Sequence, residues 1–236
     1  MSVDSIGNVD FHAHILPAAD HGSGGISETK NQISFYKKAG VDTIVATPHF
    51  YPNSASIDSF LHRVNSAAAD LTELLSAEED APRVLLGAEV LYCDNMHHME
   101  GLEQLFIRGT DVLLLELPMS DWSPALFHTV RELNKRCRVV LAHIDRYTRP
   151  HSDDLWALAE CGVRAQVNAP SLFSMMERRR LAPFFAYGSV VAFGSDLHND
   201  DAQAVRRLVG AKKYLGADYD AIMARAAELL TDAKPI

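Results

Sequence analysis

Seven short apolar runs, each followed by a segment with helical spacing, constrain the fold of this chain more than any other feature of its sequence. The runs begin at Val9 and recur at 41–47, 84–92, 112–117, 139–144, 163–168 and 190–193. Several, such as VLLLEL at 112–117, lack polar alternation, which is typical of parallel strands covered on both faces. Their alternation with helices predicts an α/β fold with a parallel sheet.

The segments between the runs predict seven helices, at 27–39, 57–75, 124–136, 152–160, 171–185, 201–215 and 218–230. No linker, internal repeat or low-complexity segment divides the chain, so we expect a single domain over residues 1–236. Seven strand–helix units in one domain of this size favour a barrel. A doubly wound open sheet has the same alternation and stays an alternative on pattern alone.

Charge and composition exclude several functions. With a formal net charge of −9, the chain lacks the basic character of a nucleic-acid-binding protein. None of its apolar runs approaches the roughly 20 residues of a membrane span, and its N-terminus does not resemble a secretion signal. Cys93, Cys137 and Cys161 are widely spaced and odd in number, which fits a reduced compartment. We therefore expect a cytoplasmic protein that does not insert into a membrane.

The first strand ends in an HxH motif within residues 9–22, VDFHAHILPAADHG. His12 and His14 alternate with apolar residues, so both imidazoles leave the strand on the same face and are able to hold one metal ion. Asp20 and His21 follow in a loop that is close enough to fold back toward them. Considered alone, such a motif is more often a strand whose polar face is rich in histidine.

Nearly every other strand end also carries an imidazole or a carboxylate. These further candidates are His49, Glu89, Glu116, His143, Asp196 and His198. Because the C-terminal ends of parallel barrel strands converge on one mouth, we expect these side chains to meet. Glu116 lies in an apolar run, and its buried charge needs a cation, which a metal shared with Glu89 and His143 supplies. Each residue taken singly has a structural explanation; their joint placement favours a metal site.

Taken in order, the motifs HxH, ATPH, GAEV, LLLELP, LAHIDRY, QVNAPSL and SDLHN resemble those of the PHP (polymerase and histidinol phosphatase) superfamily. They look most similar to its bacterial branch of capsular-polysaccharide tyrosine phosphatases, the CpsB/YwqE type. The resemblance covers essentially the whole chain. It implies a distorted (β/α)7, TIM-like barrel, the PHP fold, with up to three metal ions: manganese first, with iron or zinc as the alternatives.

The resemblance also implies which residues hold each metal. The first ion would be bound by His12, His14, Glu89 and Asp196. The second would share Glu89 and add Glu116 and His143. The third would take His49, His198 and His21. The capsule branch usually has an aspartate at the His21 position, so Asp20 stays an alternative ligand or a neighbour that orients one. Asp10 is expected to orient an imidazole.

Two arginine positions concern the substrate. The resemblance implies that metal ions polarise a bridging water to hydroxide, which attacks the phosphorus in line. Arg146 matches the arginine of the family's HPERY motif and is expected to bind phosphoryl oxygens, with Asp145 orienting it. The branch usually has a second arginine where this chain has Gln203. Either Arg206 or Arg207 replaces it from the next helical turn, or the preference among phosphate esters differs.

These observations predict a metal-dependent phosphomonoester hydrolase, specifically a protein-tyrosine phosphatase linked to capsule or exopolysaccharide regulation. Its expected partner is a phosphorylated substrate, such as the phosphotyrosine tail of a kinase. A histidinol-phosphatase-like enzyme and a non-catalytic metal-binding regulator stay open as alternatives. A cysteine-dependent phosphatase is excluded, because no arginine stands six residues after any cysteine. A metal-dependent amidohydrolase is disfavoured, because that class commonly has a bridging lysine on the fourth strand, where this chain has Glu116.

Overall fold

The computed structural model describes residues 7–236. The prediction that the N-terminus carries no secretion signal concerns residues 1–6, which lie outside the described part. Within that part the chain forms nine strands. They are β1 (Asn8–Ala13), β2 (Val41–Ala46), β3 (His49–Phe50), β4 (Arg83–Leu86), β5 (Glu89–Leu91), β6 (Val112–Glu116), β7 (Arg138–Leu141), β8 (Arg164–Asn168) and β9 (Val190–Gly194).

The strands form two sheets, with orders β1-β2-β4 and β3-β5-β6-β7-β8-β9. Every neighbouring pair is parallel. The sheets meet where β1 ends beside the segment that follows β9. There the Asp196 amide donates to the His12 carbonyl oxygen at 2.9 Å, and the His14 amide donates to the Leu197 carbonyl oxygen at 3.0 Å. The predicted α/β class with parallel strands is confirmed.

The prediction of seven strands was wrong in number, because one predicted run is divided and another is followed by an additional short strand. The run 41–47 contains β2 and is followed by the separate strand β3, and the run 84–92 is interrupted at residues 87–88 between β4 and β5. Each division moves the chain from the first sheet to the second. The sequence has no signal for this change, because the residues around each break are buried, apart from His49, which is partly buried. Its consequence is that His49 lies directly opposite Glu89.

Eight helices cover the strands in the described residues. They are α1 (Ile26–Ala39), α2 (Ile57–Ser76), α3 (Pro124–Asn134), α4 (Ser152–Glu160), α5 (Met175–Tyr187), α6 (Ala202–Gly210), α7 (Lys212–Leu215) and α8 (Ala217–Leu229). The predicted helix 171–185 is corrected to a 3-10 turn, Ala169–Phe173, followed by α5. Ser174 separates them with extended dihedral angles, and its hydroxyl accepts a hydrogen bond from the Glu177 amide as the new N-cap. The predicted helix 201–215 is likewise two helices, α6 and α7.

The core lies between these helices and the sheets, and β6 shows its character. Val112, Leu113, Leu114 and Leu115 are fully buried, as parallel strands covered on both faces require. Glu116 follows as the first polar residue of the strand, at its C-terminal end. The helices of residues 7–236 include none with the length and apolar character needed to cross a membrane.

Candidate metal centre

Six strand ends bring the candidate ligands to one place. The residues are His12 and His14 from β1, His49 from β3, Glu89 from β5, Glu116 from β6, His143 from β7, and Asp196 and His198 from β9. The most exposed of these side chains, that of His198, is only 22% exposed. So many ionisable groups withdrawn from water require partners of opposite charge.

Glu89 lies at the middle of the cluster. Its Oε2 is 2.9 Å from His49 Nδ1, 3.1 Å from His12 Nε2 and 3.4 Å from His14 Nε2. Its Oε1 is 2.8 Å from His143 Nε2. A carboxylate that faces four imidazoles with both of its oxygens has the placement of a bridging metal ligand.

Three overlapping groups bring one nitrogen or oxygen from each member within 4.8 Å of the others. The groups are His12–His14–Asp196, His14–His49–His198 and His49–Glu89–Glu116. His143 adjoins the third group, since its Nε2 lies 3.7 Å from Glu116 Oε1. His14 and His49 each belong to two groups, so the site is one continuous cluster with more than one position for an ion.

His21 lies at the open side of this cluster. Its ring stacks on His49 at 4.5 Å and on His198 at 4.8 Å, and the residue is exposed. Asp20 is less exposed than His21 and contacts both His14 and His49. Its Oδ2 is 2.7 Å from His14 Nδ1 and accepts a hydrogen bond from the His49 amide at 2.9 Å. Asp20 therefore orients His14, while His21 is free to offer its ring.

The donor atoms fit metal ions better than they fit one another. Within residues 7–236, buried atoms without a hydrogen-bond partner include both ring nitrogens of His49, His198 Nε2 and Glu89 Oε2. Such orphaned groups are rare because burying them unpaired costs about 1–3 kcal/mol each. His12 Nε2 and His14 Nε2 also face each other at 3.0 Å. These lone pairs converge on positions where a divalent cation would satisfy them, and mixed imidazole and carboxylate donors suit manganese, iron or zinc.

The pKa shifts describe a site with excess negative charge. Burial raises the pKa of Glu89, but the charge of His12 and the close approach of His14 and His143 outweigh burial and hold the pKa well below its usual range. Burial lowers the pKa of His12, and Glu89 and Asp196 outweigh burial to raise it overall. The two carboxylates thus draw protons onto the histidines, and a metal ion would supply the same positive charge while leaving the ring nitrogens free to coordinate.

His198 and His143 are already in the form that coordinates a metal. Burial, helped by the neighbouring His14, lowers the pKa of His198 to about 4. Burial also lowers the pKa of His143. Both imidazoles are therefore neutral near pH 7, and a neutral imidazole is the state that donates a lone pair to an ion.

Two amide side chains of β8, Gln166 and Asn168, support the candidate ligands and were not predicted from the sequence. Gln166 Oε1 accepts a hydrogen bond from the His143 amide at 2.7 Å and lies 3.3 Å from His12 Nδ1. Asn168 donates from Nδ2 to Asp196 Oδ2 at 2.9 Å, and Gln166 donates from Nε2 to Asn168 Oδ1 at 3.0 Å. The available signal was the i, i+2 spacing of two amides in the motif QVNAPSL, which puts both on one face of the strand.

Asp10 contacts main chain and a tyrosine rather than an imidazole, which differs from the role predicted for it. Its Oδ1 accepts hydrogen bonds from the amides of His12 at 3.2 Å and Ser195 at 2.9 Å, and its Oδ2 accepts one from the Tyr36 hydroxyl at 2.8 Å. Asp10 therefore joins the end of β1 to the turn after β9. In this way it fixes the spacing between the ligands His12 and Asp196.

Arg146 is the one predicted substrate group that reaches the cluster. Its Nη2 donates to Asp196 Oδ2 at 2.6 Å, and its Nη1 lies 3.8 Å from Glu116 Oε1. Its side chain is 44% exposed, so the guanidinium faces both the ligands and the open mouth. Tyr147 anchors this turn, because its hydroxyl donates to the Leu117 carbonyl oxygen at 2.7 Å.

The other two predicted substrate residues lie elsewhere. Asp145 Oδ1 accepts a hydrogen bond from the Asn168 amide at 2.8 Å, and burial raises the pKa of Asp145 to about 6. In residues 7–236 no ion pair joins Asp145 to Arg146, so Asp145 acts on the β8 network instead of on the guanidinium. Arg206 is exposed on α6, and among the same residues it forms no hydrogen bond or ion pair with the cluster.

Two ligands have strained backbones. His143 has φ 33° and Asp196 has φ 53°, in the left-handed region that side chains other than glycine seldom adopt. Each conformation costs of the order of 1–3 kcal/mol and persists only where the surroundings enforce it. The chain turns sharply at these points, directly after the ends of β7 and β9, and this turn directs both side chains into the cluster.

Gly194 permits the close contact between β9 and the β1 histidine. A Cβ at this position would lie 2.6 Å from His12 Cβ and 2.7 Å from Gln166 Nε2. Overpacking of this kind costs about 1–3 kcal/mol, so we expect Gly194→Ala to lower Tm and to displace His12. Bound metal, measured by mass spectrometry, should fall with it. Gly24→Ala, where a Cβ meets only the end of Glu28 at 3.1 Å, is the control and should leave both unchanged.

Asp20 and His21 make different contributions, and their variants should separate them. Because Asp20 orients His14, Asp20→Asn should weaken metal affinity by about 10–100-fold while leaving the number of bound ions at saturation unchanged. His21→Ala should instead lower that number by one. Calorimetric titration of the metal-free protein measures both quantities. The assignment is wrong if Asp20→Asn loses an ion and His21→Ala does not.

Parallel α/β sheets whose strand ends carry histidines around a central glutamate form a candidate metal centre. The chain belongs to the capsular polysaccharide synthesis family CpsB/CapC, whose model matches residues 8–230. It is 27% identical to the tyrosine-protein phosphatase YwqE of Bacillus subtilis, over 94% of this chain and 91% of that one. It is 24% identical to the tyrosine-protein phosphatase CpsB of Streptococcus pneumoniae, over 83% and 84%. The resemblance seen in the sequence is confirmed.

Solved structures agree on the fold. A structure described as YwqE from Bacillus subtilis and CpsB from Streptococcus pneumoniae, metal-dependent tyrosine phosphatases, matches with a TM-score of 0.79 at 23% identity and covers 97% of this chain and 96% of that one. A histidinol phosphate phosphatase from Lactococcus lactis matches with a TM-score of 0.55 at 12% identity, covering 89% and 94%. Both likenesses concern the fold.

Proposed function

We propose that this protein is a metal-dependent protein-tyrosine phosphatase that acts in capsule or exopolysaccharide regulation. The observation that carries the proposal is the buried cluster around Glu89, with Arg146 beside it at the open mouth. Family membership adds the context, since the family is described by capsular polysaccharide synthesis and two relatives are named tyrosine phosphatases. The proposed substrate is a phosphorylated protein, with the phosphotyrosine tail of a kinase as the specific partner.

The architecture proposed for this function is one distorted (β/α)7 barrel over residues 1–236, in which β2 with β3, and β4 with β5, each count as one interrupted strand. The two hydrogen bonds between the end of β1 and the segment after β9 support it, because they join the two sheets beside the ligands. A cytoplasmic location is part of the proposal, and it is supported by three cysteines that form no disulfide within the described residues.

Three ions, manganese in the first place, are proposed to be held by the nine ligands. The first ion would be held by His12, His14, Glu89 and Asp196. The second would share Glu89 and add Glu116 and His143, and the third would take His49, His198 and His21. When bound, such ions supply Lewis-acid polarisation of the phosphate ester and lower the pKa of water. Iron and zinc suit the same donors, so metal identity needs measurement.

The protein's own groups then act on the phosphoryl group. The Arg146 guanidinium presents several N–H donors at the mouth and is placed to bind phosphoryl oxygens bidentately. Its contacts with Asp196 and Glu116 hold the guanidinium in position, so little rearrangement is needed as negative charge develops on the phosphoryl oxygens. Tyr147 fixes the turn that carries it.

The test is hydrolysis by manganese-loaded protein of phosphotyrosine peptides and histidinol phosphate, side by side. We expect phosphotyrosine peptides to have the higher kcat/KM, and removal of metal with EDTA to abolish the activity. Preference for histidinol phosphate would support the small-molecule alternative instead. Full metal loading without activity on any phosphate ester would contradict the enzyme proposal. The non-catalytic metal-binding regulator would then be the remaining alternative.

A further inference from the structure

A basic surface with exposed aromatic rings lies beside the metal centre, on α5, α6 and α7. We call it the α5–α7 surface and define it by Phe173, Arg178, Arg179, Arg207, Lys213 and Tyr214. The two segments that form it, 173–180 and 206–214, contain seven lysines and arginines and one acidic residue, Glu177. Because the whole chain has a formal net charge of −9, this concentration of positive charge is local and opposite in sign to the rest.

Arginines and aromatic rings are interleaved on this surface. The Arg178 guanidinium lies 4.3 Å from the centre of the Tyr214 ring, and that of Arg207 lies 5.3 Å from the centre of the Phe173 ring. The two rings meet edge to face at 5.0 Å. Phe173 is 36% exposed and Tyr214 is 38% exposed. Stacking orients the guanidinium groups. Arg178 Nη1 also donates to the Leu172 carbonyl oxygen at 2.5 Å, and the remaining N–H edges are available for carboxylates.

A groove of about 590 Å³ forms part of the same surface. Its lining includes Arg178, Arg179, Phe185, Tyr214, Leu215 and one acidic residue, Asp218. Arg179 and Lys213 are exposed, and in the described part of the chain neither forms an ion pair or a hydrogen bond. The groove therefore combines an apolar floor with Arg179, a cation that has no partner among the described residues, and Lys213 is a second such cation on the α5–α7 surface outside the groove lining.

The α5–α7 surface is connected to the metal centre through β8. Asn168 donates to the ligand Asp196 at 2.9 Å, and the 3-10 turn Ala169–Phe173 follows it directly. Five residues of such a turn rise about 10 Å. The centres of the Phe173 and Tyr214 rings are 5.0 Å apart. The path from Asn168 along the turn to the Tyr214 ring is therefore on the order of 15 Å, a length that about five residues of extended peptide cover at ~3.3 Å each.

We propose that the α5–α7 surface binds an acidic segment of the protein substrate, located about five residues from the phosphotyrosine. The inference rests on the phosphatase function proposed above. A short segment senses mainly the charges within a Debye length, about 10 Å at 0.1 M salt, and so is attracted by the local cations. An extended anionic surface such as a membrane would also face the negative remainder of the chain, which repels it. The charge distribution thus favours a peptide.

The experiment uses the full chain loaded with manganese and three phosphotyrosine peptides. Two carry five glutamates, placed from the fifth residue onward on either the N-terminal or the C-terminal side; the third carries glutamines on both sides. We expect one acidic peptide to have a kcat/KM at least about tenfold above the glutamine peptide, and the difference to disappear at ~0.5 M salt. Equal kcat/KM for all three peptides at low salt would overturn the proposal.

Two charge-reversal variants locate the effect. Arg179→Glu combined with Lys213→Glu should remove the preference for the acidic peptide while leaving kcat on p-nitrophenyl phosphate unchanged. Lys38→Glu combined with Arg131→Glu makes the same change of charge at exposed positions on α1 and α3 and should keep the preference. A preference that survives the first pair, or is lost equally in both, would overturn the assignment.

Binding is measured separately, so that failure of docking and failure of catalysis are distinguishable. Fluorescence anisotropy with the acidic peptide, its phosphotyrosine replaced by tyrosine, reports docking without turnover. Binding that the first pair of substitutions abolishes supports the α5–α7 surface even if no peptide is hydrolysed, in which case only the phosphatase proposal fails. Binding to vesicles of anionic phospholipid, lost in the same variant and without any binding of the peptide, would make the surface a membrane contact and overturn the inference.

Discussion

Glu89→Gln is expected to lower kcat/KM for phosphotyrosine peptides by about 10³-fold, because metal ions contribute several kcal/mol to catalysis and about 1.4 kcal/mol corresponds to a factor of ten. The substitution keeps the size of the side chain but removes the negative charge that four imidazoles face within 3.4 Å. Bound metal should fall as well, since Glu89 is the proposed bridge. Steady-state kinetics and mass spectrometry of bound metal measure the two effects.

The matched control for this variant is Glu103→Gln. Glu103 is exposed on a 3-10 turn and forms no ion pair in the described residues, so its substitution should leave metal content and kcat/KM unchanged. Circular dichroism and Tm establish that both variants fold. A folded Glu89→Gln protein with the metal content and the activity of the parent would remove Glu89 from the centre and with it the proposed sharing of ligands.

Arg146→Ala is expected to lower kcat on phosphotyrosine peptides by about 10²–10³-fold, the range measured for loss of one donor to a developing oxyanion. The kcat of Arg146→Lys should lie between those of Arg146→Ala and the parent protein, because an ammonium keeps the charge but loses the bidentate geometry. Bound metal should be retained, since Arg146 approaches Asp196 and Glu116 from the mouth and is not itself a ligand. Kinetics on phosphotyrosine peptides, with metal analysis, separate this effect from loss of the centre.

Arg149→Ala is the control for Arg146. Arg149 lies three residues further on, is 70% exposed and has only a distant contact with Glu177 at 3.9 Å. Its substitution should leave kcat within about twofold, as expected for an exposed ion pair of little energy. If Arg146→Ala keeps full kcat with metal still bound, the guanidinium does not bind the phosphoryl group, and that part of the mechanism is wrong.

Much of the metal centre could be predicted from the sequence because its residues stand at strand ends. A polar residue directly after a buried strand, such as Glu116 after VLLL, is recognisable from the change in pattern alone. Parallel strands bring their C-terminal ends to the same edge, where six of the nine predicted ligands lie; His49 and Glu89, the first residues of β3 and β5, join them in the buried cluster. His21 stacks at its open side.

The supporting groups could not be predicted in the same way. Asp10, Tyr36 and Ser195 form one hydrogen-bonded unit from residues up to 185 positions apart. The i, i+2 spacing of Gln166 and Asn168 puts both amides on one face of β8, but it does not show that this face meets His12 and Asp196. Such contacts depend on the packing of distant segments, and local spacing carries no information about it.

The division of two strands was also beyond local patterns. β4 and β5 read as one apolar run, because residues on both sides of Gly87 are buried. A Cβ at Gly87 would lie 3.1 Å from Ile107 Cγ1, which shows how closely another segment approaches there. The change of sheet is therefore a tertiary event, and it is what sets His49 opposite Glu89.

The central claim is that the histidine and carboxylate cluster is a three-metal centre at which phosphotyrosine is hydrolysed. The most direct measurement is a titration of metal-free protein with manganese, in which bound ions per chain and hydrolysis of a phosphotyrosine peptide are followed together. We predict that activity is absent without metal and reaches its maximum as three ions bind per chain. Full activity in protein without bound metal, or three bound ions without activity on phosphotyrosine, would contradict it.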